Sequence, residues 1–265
     1  MSNALMEKWA SKTETLGSWL SLPDSHAAET VARVDFDYVC VDMQHGIADY
    51  QVATVMLQAI TMTGKGTPIC RVPWNEPGII GRMLDAGARG IIIPMVNSVA
   101  EAESAVAATK YPPLGQRSYG PTIIRGRADN AGEDYYATAN QTNACIPMIE
   151  TRDAVENLDA ILEVEGVDAI YVGPADLSLS YGYGPAYSDD NEEYKEVLEY
   201  IVERCNEAGK VAGIHSTSAL AANRREKGFM MQTISGDIAA VAKGSYQDLK
   251  NAVEGGAGDG SSRIY

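Results

Sequence analysis

Eight short apolar runs, separated by stretches with helical spacing, dominate this chain and restrict it to a small set of folds. They lie near 15–20, 37–42, 67–72, 90–95, 145–149, 168–173, 211–214 and 229–234. Continuous rather than alternating apolar runs are what parallel strands buried on both faces look like. Helical spacing occupies 50–61, 99–108, 151–163, 192–208 and 219–227. A doubly wound sheet would normally use fewer strands and place a glycine-rich phosphate loop after the first. Here the first run is followed by Leu22-Pro23-Asp24-Ser25-His26. The expected fold is therefore α/β, a (β/α)8 TIM barrel. Its usual size of about 250 residues matches the 265 present, which predicts a single domain over 1–265. The ends 1–8 and 255–265 are expected to be flexible, Ser2-Asn3-Ala4 being set aside as an expression remnant.

Glycines stand just before several runs, at Gly64, Gly66, Gly87, Gly90, Gly166, Gly209 and Gly228, where helices are expected to end in a left-handed cap. The connection from Tyr111 to Asn143 is long for a compact domain. Its turn-rich opening, 111–120, is expected on the side where strands end, as a functional lid.

Charge narrows the function. Lys and Arg total 21 against 36 acidic residues, a net −15, which argues against a nucleic acid or an anionic membrane surface as partner. No apolar run approaches the ~20 residues that span a bilayer, and no signal segment opens the chain, so a cytoplasmic protein is expected. Cys40, Cys70, Cys145 and Cys205 show no CxxC spacing and read as small buried hydrophobes in a reducing compartment.

The run Val39-Cys40-Val41 stops abruptly at Asp42-Met43-Gln44-His45-Gly46. Later runs end likewise at Arg71, Glu150 and Asp176. In a (β/α)8 barrel the C-terminal ends of the strands face a common centre, so strands two, three, five and six would deliver these groups to one site. Each has a structural alternative: Glu150 as an acid favouring a helix dipole, Asp176 as an N-cap, His45 as a satisfied core histidine. Arg71 is harder to dismiss, because an unpaired guanidinium in an apolar run is costly. Two carboxylates on adjacent strands suit Mg²⁺ or Mn²⁺ and leave room for water and a chelating 2-oxo acid. Zinc would want a second His or a thiolate. A Schiff-base route to the same enolate needs a lysine inside the barrel, whereas Lys65, Lys110, Lys210 and Lys227 fall in loops or just before strands.

Val-Asp-Met-Gln-His-Gly (41–46), Arg-Val-Pro (71–73), Leu-Asp-Ala-Gly-Ala-Arg-Gly-Ile-Ile-Ile-Pro-Met-Val (84–96), Tyr-Pro-Pro-Leu-Gly-Gln-Arg (111–117), Ile-Glu-Thr (149–151) and Gly-Pro-Ala-Asp-Leu-Ser (173–178) together resemble the HpcH/HpaI aldolase/citrate lyase family. The match runs in order over roughly 15–250. The resemblance implies a barrel of the phosphoenolpyruvate/pyruvate-binding type and a class II aldolase that cleaves a 4-hydroxy-2-oxo acid to pyruvate and an aldehyde. By resemblance, His45 is the proton acceptor, Arg71 stabilises the transition state, and Glu150 and Asp176 hold Mg²⁺, Mn²⁺ or Co²⁺. The backbone at Ala175 and Asp176 would meet the substrate carboxylate, and Asp85 would raise the basicity of the histidine. Asp85, however, ends a helix just before a strand, on the face away from His45, and Asp42 is the local alternative. Met148 stands where some members have a glutamine that contacts the 2-oxo acid, and His215 follows strand seven at the same rim. The family also implies trimers or hexamers exchanging a C-terminal helix, with Trp74 and 75–77 as candidate participants. Rival expectations are an oxaloacetate decarboxylase or macrophomate synthase-like enzyme, an acyl-CoA lyase, and a non-catalytic 2-oxo-acid-binding barrel.

Overall fold

The computed structural model describes residues 3–125, 135–185 and 191–254. Eight parallel strands close on themselves in sequence order: β1 Thr15–Leu20, β2 Tyr38–Asp42, β3 Thr67–Arg71, β4 Gly90–Ile93, β5 Ala144–Ile149, β6 Ala169–Val172, β7 Val211–His215 and β8 Met231–Gly236. Each coincides with an expected run to within a few residues. Parallel neighbours need crossovers, and helices such as Tyr50–Met62, Pro77–Ala86, Val99–Thr109 and Glu192–Glu207 supply them. Side-chain caps start most of these helices, for example Asp49 accepting from the Val52 amide and Ser98 from that of Glu101. The Pro77–Ala86 helix ends at Gly87, whose φ of 112° only glycine adopts freely.

Two apolar layers follow from strands buried on both faces. One lies between strands and helices and includes Val39, Val41, Ile91, Ile93 and Ile149. The other fills the barrel with Trp19, Tyr38, Ile69, Ile92, Ile146, Met148 and Tyr171. Large rings fit there because small residues face them: a Cβ on Gly17 would lie 2.2 Å from the Tyr38 ring, and one on Gly213 would lie 2.9 Å from that of Tyr171.

Three expectations change. The opening residues, read as a flexible end, form the helix Ala4–Ala10, capped by Asn3. The buried Asn3 amide also donates to the carbonyls of Arg89 and Thr142, and Leu5 and Trp9 close the bottom of the barrel core. Burying Leu5 alone contributes about 1.5–3 kcal/mol. The helix expected over 151–163 breaks at Asn157 into Arg152–Glu156 and Leu158–Leu162. The segment 111–117 does not begin as a lid over the strand ends. The preceding helix returns the chain to the opposite face, where Leu114 lies near Gly166, just ahead of β6, and Arg117 pairs with Asp85. The tail 255–265 lies outside the described residues.

Candidate active site

The C-terminal ends of the strands enclose a cleft of about 330 Å³. His45, Arg71, Met148, Glu150, Ala175 and Asp176, all anticipated from sequence, line it together. Trp19, Ser21, Tyr171, Gly173, Pro174 and His215 complete it.

His45 is placed by a turn built on Asp42. The Asp42 carboxylate accepts from the amides of Gln44 at 3.0 Å and His45 at 3.4 Å, folding the chain back over the end of β2. A Cβ at Gly46 would lie 2.2 Å from the Asp42 carbonyl oxygen, so the tight turn requires glycine. The same carboxylate receives Arg71 in two parallel bonds, Nε to Oδ1 at 2.8 Å and a terminal nitrogen to Oδ2 at 2.7 Å. Burial opposes the charge on Asp42, but the guanidinium outweighs it and holds the carboxyl below its usual range. Arg71 also lies 4.9 Å from the centre of the Trp19 ring.

Glu150 follows β5 and is 1% exposed. One oxygen accepts the Met95 amide at 2.8 Å, and Met95 holds φ at 55°, an uncommon conformation that costs energy for a side-chain-bearing residue. The other oxygen approaches Gly173 so closely that a Cβ there would lie 2.3 Å away. Asp176 sits in the first turn of the helix Pro174–Ser180. Burial, with the nearby Asp176 charge adding to it and the Met95 amide and Arg71 opposing, pushes Glu150 up to about 7. This pair is short of positive charge, since Arg71 is committed to Asp42. The donor set therefore suits a hard cation that takes one or two protein carboxylates and fills its shell from water and substrate. Among the described residues no group of three or more His, Cys, Asp or Glu stands ready to enclose a metal.

Asp85 does not reach the cleft. Its carboxylate is engaged by Arg117, which also donates to the Tyr135 hydroxyl, so within one chain it is Asp42 that contacts the His45 turn. Among the described residues no lysine lines the cleft: Lys110 is buried against Asp168 and the carbonyls of Asn140 and Asn143, and Lys210 donates to the Val167 carbonyl. The four cysteines are buried and unpaired. Trp19 and Tyr171 were not singled out from sequence. Aromatic residues inside an apolar strand look like core, and only their position near the strand ends marks them.

A (β/α)8 barrel whose strand ends gather a carboxylate pair, a paired arginine and a histidine is the frame of an enzyme. The chain belongs to the HpcH/HpaI aldolase/citrate lyase family, whose model matches residues 15–242. It is 38% identical to a hydroxypyruvate/pyruvate aldolase of Rhizorhabdus wittichii, over 94% of this chain and 98% of that one. It is 36% identical to a 4-hydroxy-2-oxo-heptane-1,7-dioate aldolase of Salmonella dublin, over 92% of each. An HpcH/HpaI family structure from Burkholderia cenocepacia superposes with a TM-score of 0.87 at 31% identity, covering 95% of this chain and 99% of that one.

Proposed function

We propose that this chain is a class II aldolase, a carbon–carbon lyase that cleaves a 4-hydroxy-2-oxo acid to pyruvate and an aldehyde and runs the reverse addition. The observation that carries this reading is the convergence of His45, Arg71, Glu150 and Asp176 on one cleft in a chain of this family. Glu150 and Asp176 would hold a divalent cation, Mg²⁺ or Mn²⁺ in the first instance and Co²⁺ as a substitute. When bound, the cation polarises the 2-oxo group of the substrate.

This chain's own residues supply the rest. The first-turn backbone at Ala175 and Asp176 meets the substrate carboxylate, and the Met148 thioether packs against the 2-oxo acid without donating a hydrogen bond. His45 takes the proton of the 4-hydroxyl, directly or through one water. As the C3–C4 bond breaks, its electron pair stays with the three-carbon fragment as pyruvate enolate and the aldehyde leaves. Arg71, fixed by Asp42, sets a positive charge where the enolate oxygen develops its negative one. His45 then delivers its proton to C3, directly or through one water, which completes pyruvate.

The barrel acts as a single domain. Among the described residues no helix is long and apolar enough to cross a membrane, and a cytoplasmic location is proposed with the aldolase reading. Assembly into trimers or hexamers is supported by the helix Asp237–Glu254, whose Ile238, Val241, Tyr246, Leu249 and Val253 are all more than half exposed.

Release of pyruvate from a 4-hydroxy-2-oxo acid, coupled to its reduction by lactate dehydrogenase, tests the reading. Turnover with Mg²⁺ or Mn²⁺ that stops on chelation is expected. Pyruvate from oxaloacetate alone, with no activity on hydroxy-oxo acids, would assign a decarboxylase instead.

A further inference from the structure

A polar chain crosses the barrel core beneath the cleft. The Tyr38 hydroxyl lies 3.0 Å from the Thr233 hydroxyl, which lies 2.6 Å from that of Tyr171, which in turn lies 3.4 Å from His215 Nδ1. Tyr38, Tyr171 and Thr233 are each at most 1% exposed. Tyr38 also hydrogen-bonds with Tyr171, so its O–H finds an acceptor whichever way the protons run. In either direction the chain engages Nδ1, as acceptor or donor, and leaves Nε2 to face the cleft.

The ring is fixed from a second side, edge-on to Trp19 with centroids 5.0 Å apart. Burial and the charge of Arg71 push the imidazolium down to about 4, against a smaller opposite effect of Asp42, so the ring stays neutral near pH 7. Among the described residues Nε2 has no hydrogen-bond partner, and His215 lines the cleft beside Trp19 and Tyr171. The proposed mechanism uses neither His215 nor the chain that orients it.

We propose that His215 is a specificity-determining residue whose pre-oriented Nε2 hydrogen-bonds to the acceptor and so selects aldehydes bearing a hydroxyl group over alkyl aldehydes of the same length. The inference rests on the aldolase reading, because it concerns the acceptor of the pyruvate enolate. A half-buried nitrogen fixed in this way discriminates against an aldehyde that leaves it unpaired. A neutral ring gives no matching advantage to a carboxylate-bearing acceptor, which an imidazolium would favour.

The test is the ratio of kcat/KM for glycolaldehyde to that for acetaldehyde, and for glyceraldehyde to propionaldehyde, with pyruvate and Mg²⁺, in wild type, His215→Leu and His215→Gln. Both members of a pair are read on one protein, so a general loss of folded enzyme cancels. His215→Leu is expected to lower the ratio about 3- to 10-fold, the worth of one neutral hydrogen bond, and His215→Gln, which keeps a hydrogen-bonding group, to restore part of it. A ratio unchanged in His215→Leu, or equally low in both variants, would overturn the proposal. Wild-type enzyme that adds pyruvate to no aldehyde at all would defeat the aldolase reading and this inference with it. Normal addition with a flat ratio defeats only the inference.

Discussion

Asp42 and Arg71 are paired Cα partners at the ends of β2 and β3, and their side chains form a two-bond ion pair across that register. The barrel's own hydrogen-bond ladder thus places a cation at the cleft wall. Because the same carboxylate holds the His45 amide, one residue fixes both the positive charge and the turn bearing the base.

Removing that carboxylate leaves a nearly buried guanidinium unpaired. Asp42→Ala is expected to cost about 3–5 kcal/mol of stability and to lower kcat at least as strongly as KM is raised. Urea unfolding and steady-state kinetics, with Arg71→Met and the double variant closing a cycle, would report the coupling. A double variant as damaging as the sum of the singles would show that the pair contributes nothing.

Glu150 makes stability fall as pH rises. Burial raises its folded pKa to about 7, above the ordinary value of 4.5, so between those values the folded state keeps a proton that the unfolded state has released. The metal-free protein should therefore lose up to about 3 kcal/mol over this window, at 1.36 kcal/mol per unit. Glu150→Gln should be more stable than wild type at pH 8 in the presence of chelator, with the gain gone near pH 4. Denaturant midpoints at the two pH values decide it.

Gly173 is needed for space, since a methyl group there would meet both the Glu150 carboxylate and the Met148 thioether. Gly173→Ala should push Glu150 aside and weaken Mn²⁺ binding by at least tenfold, while circular dichroism still reports a folded barrel. Calorimetric titration with Mn²⁺ gives the answer directly.

The strands were legible because a strand buried on both faces leaves a continuous apolar run, and their polar ends stood out for the same reason. His45, Arg71, Glu150 and Asp176 were readable as breaks in that pattern. Trp19 and Tyr171 were not, because aromatic rings at the cleft floor have the same composition as rings in the core. The first helix is not legible in an opening that reads as a flexible end, although Leu5 and Trp9 carry helical spacing. Its role depends on the barrel bottom formed by Arg89 and Thr142, far away in sequence. Asp85 shows the converse: the resemblance implies that it raises the basicity of the histidine, whereas within one chain its position at the end of the Pro77–Ala86 helix, away from His45, pairs it with Arg117.

The enolate step is the centre of the account, and exchange of the pyruvate methyl protons in D₂O, followed by NMR, isolates it from any aldehyde. Wild-type protein with Mg²⁺ or Mn²⁺ should exchange them, chelation should stop it, and His45→Ala should lose exchange while still binding pyruvate. Full-rate exchange in His45→Ala would remove His45 as the base, and no exchange by wild type with either metal would contradict the aldolase assignment itself.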